Sequence, residues 1–161
     1  MNLDKLNSWL TLGANLGVLF GILFLVVEVQ QNNLIARAQI RMEIADSMHE
    51  NIAMFSSQEG VSIQAKLQRG EDLTLEDEIW LVWTFRNELK AWESVAYQHA
   101  IGFYDQVEME TYREIWKLRA QNCKDRFGEL FLETYQSFVN QLRPSFKIEL
   151  DNYFTENNCF K

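Results

Sequence analysis

Residues Leu10 to Val29 read LTLGANLGVLFGILFLVVEV, a run in which Thr11, Asn15 and Glu28 are the only polar side chains. A helix rising about 1.5 Å per residue needs about 20 residues to cross about 30 Å of hydrocarbon, so the run predicts one membrane-spanning helix in an anchor over residues 1–30. Inside it, Gly13, Gly17 and Gly21 form a doubled G-x-x-x-G repeat. Lipid tails give two helices no hydrophobic reason to associate, and small residues let backbones approach closely enough for packing to do so. The anchor is therefore expected to press this face against a copy of itself or another membrane protein.

The flanks bear on placement. Trp9 stands where an interfacial indole anchors a helix at headgroup level. Lys5 is the single basic side chain before the run, and no A-x-A-like cleavage site follows it, so the segment is expected to remain attached. Arg37 and Arg41 follow the run closely, which by the positive-inside tendency favours a cytoplasmic C-terminal domain. Membrane lipid is thus one expected partner. Nucleic acid is not, because a net charge of −8 offers no basic surface for phosphates.

The roughly 130 residues after the anchor suffice for one modest domain. With one proline and seven glycines in 161 residues, few positions break regular structure. The 13% aromatic content, including five Trp and eleven Phe, supplies core material. The expected fold is all-α: the transmembrane helix continues as a stalk over residues 31–58 into a helical bundle over 59–161.

Helical spacing supports the stalk. At about 100° per residue, Gly13, Gly17, Gly21, Phe24, Glu28, Gln31, Ile35, Ala38 and Met42 share an arc of about 100°. Ala45, Met48, Ile52 and Phe55 continue as apolar positions at spacings of three and four. Glu28 and Gln31 lie near the membrane exit, either solvated at the interface or forming a polar ring at the mouth of an oligomeric pore. Asn15 faces about 200° from the glycines.

Gly60 and Gly70 bracket a short helix over Val61 to Gln68. Thr74 caps a long helix from Leu75 to about Ile101 that ends at Gly102, with Glu76, Asp77 and Glu78 in its first turn. Its expected stripe is Leu75, Ile79, Val82, Phe85, Leu89, Trp92 and Ala96, widened by Trp80, Trp83 and Tyr97, which suits a central position in the bundle. Asp105 with Glu108 starts a helix over Gln106–Gln121 with Tyr112, Ile115, Trp116 and Arg119 inward. A further helix spans about Lys124 to Leu142 with Phe127, Phe131, Tyr135 and Phe138 on one side. Pro144 opens the last, carrying Phe146, Ile148, Leu150, Tyr153 and Phe154.

The search for chemistry returns little. His49 and His99 are the only histidines, and neither has the Glu three residues before it that a di-iron bundle uses, so no metal site and no cofactor are expected. Asp46 with His49 and Glu50 share part of a stalk face, and His99 suits a helix C-terminus. Arg86 and Glu93 are expected to form an ion pair that fixes helix register. Cys123 and Cys159 lack metal spacing and are expected to be buried or free thiols of a reducing compartment, one disulfide being the alternative. No Gly-rich phosphate loop, H-E-x-x-H or G-x-S-x-G occurs, and no enzyme is expected.

LFGILFLVVEVQQNN followed by LIARAQ, and later WESVAYQHAIGFYD, resemble a group of uncharacterised bacterial proteins with an N-terminal transmembrane helix and a helical domain. The matching positions are Glu93, Tyr97, Gln98, Gly102 and Asp105. The resemblance implies a single-pass protein of the bacterial inner membrane and carries over no activity. The expectation is an interaction or accessory protein that self-associates or joins a membrane complex through Gly13, Gly17 and Gly21. The alternatives are a homo-oligomeric pore with Glu28 and Gln31 at its mouth, or a ligand-binding or enzymatic domain with a pocket among Trp80, Trp83, Trp92 and Trp116.

Overall fold

The computed structural model describes residues 3–160, which form six α-helices and one 3-10 turn, with no strand among the described residues. In chain order these are α1 (Leu3–Ser56), α2 (Gln58–Arg69), α3 (Leu75–Ala100), α4 (Gln106–Gln121), α5 (Arg126–Phe138), the 3-10 turn Val139–Gln141, and α6 (Pro144–Glu156). The all-α expectation holds. Two compact units divide between Gln39 and Ile40, inside α1.

In the first unit every described residue through Ile35 is exposed. It holds one stretch long and apolar enough to cross a membrane, none of it buried. Phe20 and Phe24 expose 65% and 71% of their surface. Apolar patches of this size are rare on soluble monomers.

The second unit begins with the last turns of α1. Here the packed face is Ile40, Ile44 and Phe55, with Ser47 and Asn51 half-buried between them, while Met48 and Ile52 stay exposed. The apolar register Ala45, Met48, Ile52 is therefore rotated from the packed one. Two polar residues occupy the inner face, and a pattern based on apolarity alone passes over them.

The chain breaks at Ser56–Ser57 rather than at Gly60. Ser57 is the N-cap of α2, its hydroxyl accepting the Gly60 N–H at 3.0 Å and donating to the Met54 carbonyl at 2.7 Å. Gly60 lies inside α2, and a Cβ there would come within 2.5 Å of the Met54 carbonyl oxygen and 2.7 Å of that of Phe55. Absence of a side chain lets α2 fold back tightly on the end of α1.

Thr74 caps α3 as expected, with a reciprocal capping box: its hydroxyl accepts the Asp77 N–H and the Asp77 carboxylate accepts the Thr74 N–H. The buried stripe differs from expectation in its first turns. Leu75 and Ile79 remain 67% and 50% exposed, and the inward positions are Leu81, Thr84, Phe85, Glu88, Leu89, Trp92 and Val95. Thr84 reaches that face by donating to the Trp80 carbonyl at 2.9 Å, and Glu88 by accepting from Arg119 through one of its two carboxylate oxygens.

Helix α4 has the expected bounds, with Asp105 accepting the Glu108 N–H at 2.9 Å. Helix α5 ends earlier than expected and tightens into the 3-10 turn. Its residue Gly128 has no room for a Cβ, which would overlap the Asn122 carbonyl. Pro144 is the first residue of α6, where its missing N–H costs nothing. The core joins α3, α4, α5 and α6 through offset and edge-on aromatic contacts: Phe85–Phe131 at 5.2 Å, Trp116–Phe146 at 5.2 Å and Tyr135–Phe154 at 5.1 Å between centroids.

The cysteines overturn the thiol expectation. Cys123, after α4, and Cys159, after α6, form a disulfide with Cα atoms 5.9 Å apart. Both are buried. Folding α6 back along α4 brings together residues that are 36 apart in sequence.

Candidate functional site

Glu88 and Arg119 stand one on α3 and one on α4, each on the inward face of its helix, and meet across the bundle at 2.7 Å. Burial alone would make either charge expensive, and the pairing is what permits both. The Arg119 guanidinium lies over the rings of Phe127 and Phe131, at 4.8 and 4.9 Å from their centroids. Burial holds the Glu88 carboxyl above the usual carboxylate range, with Arg119 pulling it back. The second carboxylate oxygen of Glu88, Oε2, is buried without a hydrogen-bond partner among the described residues.

Glu88 borders a cleft of about 570 Å³ between the last turns of α1, the start of α2, and the facing sides of α3 and α4. Ile44, Ile52 and Phe55 of α1, Trp92 and Val95 of α3 and Ile115 of α4 supply its apolar walls. Its polar lining is Glu43, Ser47, Asn51 and Ser56 on α1, Gln64 on α2, Glu88, Ser94 and Gln98 on α3, and Tyr112 and Arg119 on α4. Gln98 Oε1 and the Tyr112 hydroxyl are likewise buried without a satisfied geometry. Burial, and then the neighbouring Tyr104, push the Tyr112 phenol well above its ordinary value. Size, apolar walls and a few convergent polar atoms are the attributes of a small-molecule site.

The sequence-derived candidates fall elsewhere. Arg86 and Glu93 do not pair. Two helical turns separate them, and nearer partners take both. Glu93 accepts from Lys90 Nζ at 2.8 Å and from the backbone N–H of Arg143 at 2.5 Å, which ties α3 to the start of α6. Arg86 lies over Trp83 and Phe138, at 5.3 and 5.4 Å from their centroids. The four tryptophans do not line one pocket. Trp92 and Trp116 are core neighbours at 6.0 Å, Trp80 packs edge-on against Phe55 at 5.8 Å, and Trp83 is exposed under Arg86. Only Trp92 of the four borders the cleft.

Gly13, Gly17 and Gly21 lie in the first unit, where a Cβ added at any of them would meet nothing within 4 Å. Glu28 and Gln31 are exposed there, as is Asn15. His49 is exposed, and His99 Nδ1 lies 3.0 Å from the Tyr104 carbonyl oxygen just past the end of α3. The pairing of Glu88 with Arg119 was not legible beforehand: they lie 31 residues apart on different helices. The one available signal was a Glu within the apolar run of α3 and an Arg already assigned to the inner face of α4.

No family model, curated protein or solved structure matches the chain.

Proposed function

We propose that the chain is a single-pass membrane protein that acts through association. Leu10–Val29 anchors it, Gly13, Gly17 and Gly21 press on a second transmembrane helix, and the helical bundle is held beside the bilayer as an interaction or accessory module. The carrying observation is the unbroken exposure of the apolar part of α1, from Leu3 through Ile35, in a protein whose bundle closes its own core. Water tolerates such a surface poorly, and lipid tolerates it well. The open glycine face supports a packing partner, because close backbone approach is what those residues allow.

The resemblance noted in the sequence supports a bacterial plasma membrane. The Cys123–Cys159 disulfide supports a bundle on the oxidising side, the reverse of the orientation that Arg37 and Arg41 favour.

Replacing Gly17 and Gly21 by Leu is expected to abolish self-association or co-purification of a membrane partner in detergent; unchanged association removes the glycine face from this reading. Release of the wild-type chain from membranes by alkaline carbonate overturns the anchor itself. For orientation, alkaline phosphatase fused to the C-terminal end is expected to be active and a green fluorescent protein fusion dark.

A further inference from the structure

We propose that the cleft between the last turns of α1 and the facing sides of α3 and α4 binds a small apolar molecule that carries an N–H or O–H donor, an amine best of all. Its head sits on the free oxygen of Glu88, and its body lies against Ile44, Trp92 and Ile115. The cleft belongs wholly to the second unit, so this inference stands whether or not the anchor reading does.

Three observations fix the chemistry. The cleft's roughly 570 Å³ falls in the range of sites that enclose small organic ligands. Glu88, a residue of the cleft wall, is 8% exposed, and its Oε2 has no donor among the described residues. A carboxylate whose other oxygen already accepts from Arg119 can only accept again, and a buried acceptor left unmatched is unfavourable, so the group that completes it must donate. The third is charge. Glu43 and Glu88 face one cation, Arg119, whose guanidinium is already committed to Glu88 and to two ring faces. The lining therefore favours a cationic head and disfavours an anionic one.

Three rigid probes with one apolar body separate these claims: 1-aminoadamantane, 1-adamantanol and adamantane-1-carboxylate. Each is titrated into the full chain in lipid nanodiscs and followed by calorimetry. The amine and the alcohol are expected to saturate one site, with the carboxylate at least about ten-fold weaker, since a like charge beside Glu88 replaces a charge-assisted hydrogen bond. Glu88→Gln should weaken the amine about ten-fold. Should that variant fail to fold, Ser47→Trp places a large ring into the cleft from the α1 side without touching the ion pair, and binding of both amine and alcohol should disappear. The inference is overturned if none of the probes saturates a site, if the carboxylate binds as tightly as the amine, or if Ser47→Trp titrates like the wild type.

Discussion

Removing the guanidinium from the buried pair, by Arg119→Met, isolates the energetics of the cleft floor. The substitution keeps an unbranched apolar stem over Phe127 and Phe131 and leaves Glu88, 11% exposed at its side chain, without the cation 2.7 Å away. Breaking a buried pair from one side costs about 3–5 kcal/mol. Arg119 is itself a fifth exposed, so about 3 kcal/mol is expected at pH 7.5, equivalent to a fall of roughly 10 °C in Tm for a unit of this size. An independent ceiling comes from protonation. A Glu with an unfolded pKa near 4.3 can be neutralised at pH 7.5 for about 4 kcal/mol and at pH 5 for about 1 kcal/mol.

Burial raises the folded Glu88 carboxyl, and loss of Arg119 removes the largest opposing influence. The folded state then holds more protons than the unfolded state between the ordinary carboxyl value and the raised one, so stability falls as pH rises through that window. Urea unfolding followed by circular dichroism should give a deficit of about 3 kcal/mol at pH 7.5 that shrinks to about 1 kcal/mol at pH 5. In the double variant Glu88→Leu/Arg119→Met, which removes both charges, stability should return to within about 1 kcal/mol of the wild type. A deficit independent of pH, or a double variant as unstable as the single one, refutes the buried-charge account.

Two further outcomes follow from the same physical rules. Cys123→Ser opens a loop of 36 residues and should cost about 3–4 kcal/mol by chain entropy, measured by urea unfolding, while the wild type, unfolded without reductant, should take up no iodoacetamide. Lys66 at 2.6 Å and the Thr74 N–H hold the Asp77 carboxyl below its usual range, so its contribution is full above the ordinary carboxyl value and lost as pH falls through the lowered one. The Tm gap between the wild type and Asp77→Asn should accordingly be widest near pH 7 and narrow steadily toward pH 3.

Local chemistry was the legible part of this fold. Thr74, Asp105 and Pro144 each announce a helix start through a side chain acting within three residues. What escaped depends on distance along the chain. The face that α1 turns to the bundle includes Ser47 and Asn51, polar residues that only the finished packing draws inward. Arg86 and Glu93 share a helix and invited pairing, yet Lys90 and Arg143 reach Glu93 first. Glu88 with Arg119, and Cys123 with Cys159, are brought together by how α3, α4 and α6 fold on one another. The candidate site was therefore hidden where the helices themselves were plain.

The two walls of the cleft are unequally held. α3 is fixed by Phe85, Leu89 and Trp92, sunk among α4 and α5, whereas the facing turns of α1 keep only Ile44 fully inside. Elements with few buried contacts open at low free energy, so the α1 side should exchange its amide hydrogens well ahead of α3. One jaw is thus stiff and the other compliant. A guest that filled the gap would act as mortar, quieting the compliant jaw, and its presence would register as a change in motion more than in shape.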